Sequence, residues 1–151
     1  MIHKDLVELA ENWLKEIKTE DDIQFLLPCG AVVTKSGSSA KEQPYAIGFT
    51  LGASILVEAK LSGSDLGSDK RKNLDNDRDK LGDYRMYIAL KGVIPVDNMP
   101  SKYGLLEVDG PSLNIVKEPE YIGAQKESEV ALLASVVRRF QKKSRTRKQW
   151  N

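Results

Sequence analysis

The sequence predicts a single α/β domain of the α+β kind, a mixed central sheet flanked by helices. Three observations predict it. The chain has 151 residues, 40% hydrophobic and 30% charged, which suits one domain with its own core. Apolar residues recur with the helical period of 3.6 near each end. Between the ends lie short runs rich in β-branched and aromatic residues, punctuated by Gly, Pro and Asp, and two pairs of these runs read as hairpins.

The elements follow in order. Leu6, Leu9, Ala10, Trp13, Leu14 and Ile17 make one apolar stripe on a first helix, with Lys4, Glu8, Glu11, Asn12 and Lys15 around the rest. "KTEDD" closes that helix in a polar loop. "IQFLL" reads as a short strand or a turn of helix ended by Pro28, and "AVVTK" as a strand. "SGSSAKEQP" is small, polar and Pro-terminated, hence a loop. "AIGFT" and "SILVEAK" pair as a hairpin around "LGA". "LSGSDLGSDKRKNLDNDRDKLGD" is dense in both charges and reads as loop, short helix and loop. "YRMYIAL" is a strand, "IPVDNMPSKYG" a Pro-punctuated connection, and "GLLEVDG" with "SLNIVKEP" a terminal hairpin around "DGPS". "ESEVALLASVVRRFQKKS" is the last helix, with Val130, Leu133, Ala134 and Val137 expected on its buried side, and "RTRKQWN" is expected to fray. The domain is taken as residues 1–141, with 142–151 as a basic C-terminal tail.

Composition removes several classes of function. A single cysteine, Cys29, excludes an intramolecular disulfide and a cysteine-rich zinc site, and after Leu-Leu-Pro its plainer role is a small core or turn residue. The one histidine, His3, stands at the chain start, where exposure is commoner than catalysis. No apolar run approaches the roughly 18 residues that a membrane span needs. The N-terminal residues do not read as a leader, so the expected location is cytoplasmic and no membrane partner is expected. "SGSDLGSDK" lacks the spacing of a nucleotide-binding P-loop. The net charge is only +1, but its distribution is uneven. No acidic residue follows Glu129, while Arg138, Arg139, Lys142, Lys143, Arg145, Arg147 and Lys148 crowd together, with Trp150 available to stack on a base. A solvated, frayed tail explains the same residues equally well.

Chemistry concentrates in Glu58-Ala59-Lys60. Alternate residues of a strand share a face, so both charged side chains enter one site, and a charged pair on an apolar strand suggests a face that borders a cleft. A carboxylate can hold Mg²⁺, a hard cation with oxygen ligands. A neighbouring Lys can orient or deprotonate the attacking water and offset charge at a scissile phosphate. One carboxylate makes a poor Mg²⁺ site, so a second acid is expected from the adjacent strand. Alone, such a triplet occurs by chance on many strands. Arg85, if it points inward, needs a carboxylate partner, with Glu58 or Asp83 as the choices.

The wider context is more specific. "QPYAIGF", "ILVEAKLSGSDLGSDKRK", "GDYRMYIALKGVIP" and "MPSKYGLLEVDG", together with "HKDLVELAENWL" and "ALLASVVRRF", resemble the MmcB-related DNA-repair proteins of the PD-(D/E)XK nuclease-like superfamily over most of the chain. The resemblance implies a restriction-endonuclease-like fold with a four-stranded mixed core sheet, DNA as the partner and Mg²⁺ chemistry. Glu58 would be the metal ligand and Lys60 the catalytic lysine. Ser62, Asp65, Asp69 and Lys70 would form a charged turn and helix beside them, and Lys70, Arg71 and Lys72 would be phosphate contacts, although their neighbouring acids nearly balance the charge.

The sequence departs from the family at Tyr45. There the family's "PDAIG" carries the Asp of its half-motif, and this chain has "PYAIG". A phenol, with a reference pKa near ~10, is a poor Mg²⁺ ligand at neutral pH and fills the space of an ion and its waters. Three accounts follow. Glu42, Asp65, Asp69 or Glu11 could substitute for the missing acid. Catalysis could be weak or lost while DNA binding is kept, and this reading ranks first. Or Tyr45 could be a change particular to this chain. An interaction protein of a phage or mobile element, using the old fold to bind a protein partner, is the alternative from another class. The sequence leaves the oligomeric state open. Glu58, Lys60 and Tyr45 are expected together in a pocket at the open edge of the sheet.

Overall fold

A computed structural model of the chain describes residues 2–16, 27–36, 43–63 and 80–149, with side chains through residue 144. Helix α1 (His3–Lys15) begins where the Asp5 carboxylate accepts the Ile2 N–H at 2.8 Å, satisfying a donor that a helix start leaves open. Six strands follow: β1 (Ala31–Lys35), β2 (Tyr45–Phe49), β3 (Ser54–Ala59), β4 (Tyr84–Leu90), β5 (Gly104–Asp109) and β6 (Ser112–Lys117). A 3-10 turn, Val96–Asn98, lies between β4 and β5. Helix α2 (Lys126–Gln149) closes the chain.

The strands form one mixed sheet in sequence order. β1, β2 and β3 make an antiparallel meander, β3, β4 and β5 are parallel, and β6 returns antiparallel to β5. This is the α+β arrangement expected from the sequence, a single domain with a mixed sheet and flanking helices. Among the described residues the sheet has six strands, two more than the core implied by the resemblance. The β2–β3 turn is tight because Thr50 pairs with Ala53 through both its backbone and its hydroxyl. "IQFLL" up to residue 26, the loop at 37–42 and the charged segment at 64–79 lie outside the described residues.

The period-2 pattern sorts the strands into two faces. Ala46, Ile55, Val57, Ala59, Met86, Ile88 and Leu106 face α1, which buries Leu6, Val7, Ala10, Trp13 and Leu14 against them. Each large aliphatic side chain fully buried there, such as Leu6, Leu14 or Ile88, contributes roughly 1.5–3 kcal/mol. α1 can approach closely because Gly48 has no Cβ; one there would collide with Cys29 Sγ and come within 3.3 Å of Leu14. Burial of Cys29 pushes its thiol up to about 11, so it stays protonated and behaves as a small apolar residue.

The opposite face carries Tyr45, Ile47, Leu56, Glu58 and Tyr87. Leu132 of α2 packs at one end of it, over Tyr45, Ile47 and Leu56. The β4–β5 connection covers the other end, with Ile94, Met99 and Tyr103 around Tyr87 and Leu105.

Helix α2 departs from the sequence reading in two ways. Val130, Ala134 and Val137, expected to be buried, are exposed, and Leu133 is half-buried. The face turned to the protein carries Glu129, Leu132, Leu133 and Val136. The helix also reaches Gln149, so Lys142 and Lys143 lie within it, as the last-helix reading had them, while the "RTRKQ" part of the segment expected to fray is helical as well.

Candidate functional site

Residues of one face line up across the sheet because register partners sit side by side. Tyr45 on β2 is the direct partner of Glu58 on β3, and Glu58 is the direct partner of Tyr87 on β4. The order Tyr45, Glu58, Tyr87 is therefore fixed by backbone pairing. Lys60 follows Glu58 on the same face, one residue past the end of β3, where its N–H bonds to the Ile88 carbonyl at 3.0 Å. Its Nζ lies 4.0 Å from Glu58 Oε2 and 5.1 Å from the centre of the Tyr87 ring. Tyr87 in turn stacks at a tilt on Tyr103, with centroids 5.2 Å apart. The ammonium is thus held by a carboxylate on one side and an aromatic face on the other.

The sequence reading placed Glu58, Lys60 and Tyr45 together, and they are together. It also placed them in an open pocket at a sheet edge, and there the structure differs. β3 is an inner strand. Glu58 is 2% exposed, Lys60 0% and Tyr45 5%. The charged pair is part of the core, with Tyr87 and the β4–β5 connection beside it.

That geometry fits Mg²⁺ poorly. The cross-strand row Tyr45, Glu58, Tyr87 presents one carboxylate, flanked by two phenols, with an ammonium already at 4.0 Å. Mg²⁺ needs near-octahedral oxygen ligands and keeps several waters. Glu11 does not supply the second acid. It is on α1, which packs on the other face, and it pairs with Lys15 at 3.1 Å. Glu42, Asp65 and Asp69 lie outside the described residues, as do Lys70, Arg71, Lys72 and Trp150. Ser62 is exposed just beyond Lys60. Lys142 and Lys143 are exposed on α2; Arg145 is on the same helix, its side chain outside the described residues. Arg85 shares the face of Glu58 but gives its Nε–H to the Gly82 carbonyl at 3.3 Å, so neither of its two expected carboxylate partners is the group that accepts this bond.

A second polar cluster escaped the sequence reading. Ser54 Oγ donates to Glu129 Oε2 at 2.6 Å and accepts the Asp83 N–H at 2.9 Å. Asp83 accepts from the N–H groups of Ser54 at 3.0 Å and Ala124 at 2.9 Å, and from Lys126 Nζ at 2.6 Å. Glu129 also accepts from the Gly82 N–H at 3.0 Å and from Lys126 at 3.2 Å. Burial alone would raise the Asp83 carboxyl, but the Ala124 N–H, the Lys126 ammonium and the Ser54 N–H outweigh it and hold the group below the usual carboxylate range. Ser54, Asp83 and Glu129 are buried. The cluster ties the starts of β3 and β4 to the first turn of α2. The signal in sequence was faint: a Gly-Asp before a strand and a Glu two residues into a helix.

No family model matches the chain, and no curated protein matches it. Among solved structures, the SPO1766 protein of unknown function from Silicibacter pomeroyi aligns with a TM-score of 0.47 and 19% identity. The alignment covers 68% of this chain and 71% of that one.

Proposed function

We propose that this chain is a DNA-binding domain of DNA repair or processing, built on a nuclease-like frame whose catalytic centre has become part of the core. The observation that carries the reading is the pairing of Tyr45 with Glu58. The strand position from which a second metal-binding carboxylate would face Glu58 holds a buried phenol. Lys60, the residue expected to activate water, is engaged with Glu58 and the Tyr87 ring. Binding is supported by α2, whose sequence beyond Glu129 carries only positive charge and whose Arg138, Arg139, Lys142 and Lys143 are exposed.

The test pairs two assays on the full chain. Fluorescence anisotropy with labelled DNA should show affinity that falls steeply with salt. Incubation of DNA with protein and Mg²⁺ or Mn²⁺ should leave it uncut. Cleavage that Glu58→Ala abolishes would instead reveal an active Mg²⁺ nuclease using a substitute acid. A second reading, a protein-interaction module, is favoured by the exposed apolar stripe Val130, Ala134 and Val137 on α2. Absence of salt-dependent DNA affinity would bring it forward.

A further inference from the structure

Among the described residues β1 is the outermost strand on its side of the sheet, and the C-terminal half of α2 overhangs it. Between them runs a groove of about 240 Å³, walled by Val33 and Thr34 of β1 and by Val136, Arg139, Phe140 and Lys143 of α2. The spacing of the helical wall explains its character. Glu129, Leu133, Val136, Phe140 and Lys143 fall on one side of a helix. The first of these meet the protein. Phe140, one turn past Val136, stays 67% exposed. A helix laid over an edge strand to shield it would bury its aromatic residue. Phe140 shields little and leaves an aromatic surface open beside two cationic side chains.

We infer that this groove is a stacking platform for single-stranded nucleic acid, with one unpaired base against Phe140 and the flanking phosphates on Arg139 and Lys143. The inference rests on the nucleic-acid reading proposed above and adds where the strand lies and which form is preferred. Its chemistry is that of a basic track with an aromatic face: every base offers a π-face, and only an unpaired one is free to use it. A duplex keeps its bases stacked on each other and can use the cations alone. No acidic residue follows Glu129 to repel the backbone. The apolar wall from Val33 and Val136 suits the body of a base and would not hold a bare anion.

The experiment uses the full chain and labelled oligo(dT) and oligo(U) of about 12 nucleotides, within the length such platforms cover, with a DNA duplex of matched length. Phe140→Ala should weaken single-strand binding roughly 5- to 100-fold and leave duplex binding and its salt slope unchanged. Phe140→Trp should keep or improve single-strand binding. Lys143→Gln should flatten the single-strand salt slope by roughly 0.7. Preference for oligo(dT) or for oligo(U) would identify the sugar read by the platform, and either supports it. The inference is overturned if nucleic acid binds but Phe140→Ala changes nothing, or if poly-glutamate competes as well as oligo(dT), since the groove would then read charge alone. If neither single strand nor duplex binds, the nucleic-acid reading itself fails, which is a different result.

Discussion

Tyr45 changes the chemistry expected of its neighbours without altering the strand pairing that positions them. Replacing it by Asp would put a carboxylate directly across from Glu58, the arrangement that could share one hard cation. In the metal-free protein the change removes a buried ring and sets two carboxylates together, so Tyr45→Asp should destabilise by roughly 3–5 kcal/mol. Mn²⁺ should recover part of this, about 2.7 kcal/mol at a hundredfold excess over its Kd. Thermal melts with and without Mn²⁺ check it; equal melting temperatures for the variant in both would mean that the enclosed face admits no ion. Asp83 makes a separate prediction. Its folded pKa is lowered, so its stabilising contribution is present above the unfolded value near ~3.9 and is lost as pH falls through the folded value. Asp83→Ala leaves the Ser54 and Ala124 N–H groups without that acceptor, at roughly 1–3 kcal/mol each. Urea titrations across the acid range should show the loss at neutral pH and a flatter acid limb. Lys126 is 60% exposed, and Lys126→Met should cost under about 1 kcal/mol. Its raised pKa places its contribution below the unfolded value near ~10.4, to be lost as pH rises through the folded one.

At the scale of elements, α2 shows how a periodic pattern can point to the wrong face. Val130, Ala134 and Val137 make as good a stripe as Leu132, Leu133 and Val136. The stripe that turns inward is the one in register with Glu129, a residue that a hydropathy pattern assigns to solvent. Ser54, Gly82 and Lys126 satisfy Glu129, and a buried acid so satisfied can sit at the helix start. Leu132→Ala should therefore destabilise by about 1–2 kcal/mol, being only part-buried, while Val137→Ser should stay within about 0.5 kcal/mol. Equal losses in chemical denaturation would return Val137 to the core. Gly82 belongs to the same junction. Its φ is +87°, and a Cβ there would lie 2.7 Å from Leu56 Cβ. Gly82→Ala should cost more than the roughly 1 kcal/mol of a left-handed strain alone, and weaken the docking of α2 as well as of β4. Amide exchange along α2 would report that second effect.

Over the whole molecule, charge is separated while the net stays at +1. The positive end belongs to a helix, so phosphate contacts on α2 would be held in fixed spacing, at the end of the helix where positive charge is also favoured. Deleting residues 142–151 removes five of its basic residues, Lys142, Lys143, Arg145, Arg147 and Lys148. The slope of log affinity against log salt should flatten by roughly 0.7–0.9 for each of them that contacts phosphate. An unchanged slope and affinity would make that end of the helix a bystander to DNA. The order of elements was legible because each depends on local pattern: the stripe of α1, the alternation in "SILVEAK", the turns at "LGA" and "DGPS". The meeting of Tyr45 with Glu58 was legible too, since a short hairpin leaves little freedom of register. That the site is closed was not. Burial of Glu58 and Lys60 depends on Tyr87, paired to Glu58 only because β4 lies parallel beside β3, and on a β4–β5 connection that packs over the same face. Neither follows from residues near position 58. The strands, the first helix and the residues that share a face could be read from the chain, because spacing along one segment sets them. Which face of α2 is inside, that Ser54, Asp83 and Glu129 meet, and that the Glu58–Lys60 pair is enclosed came from packing, because each depends on contacts between segments far apart in sequence.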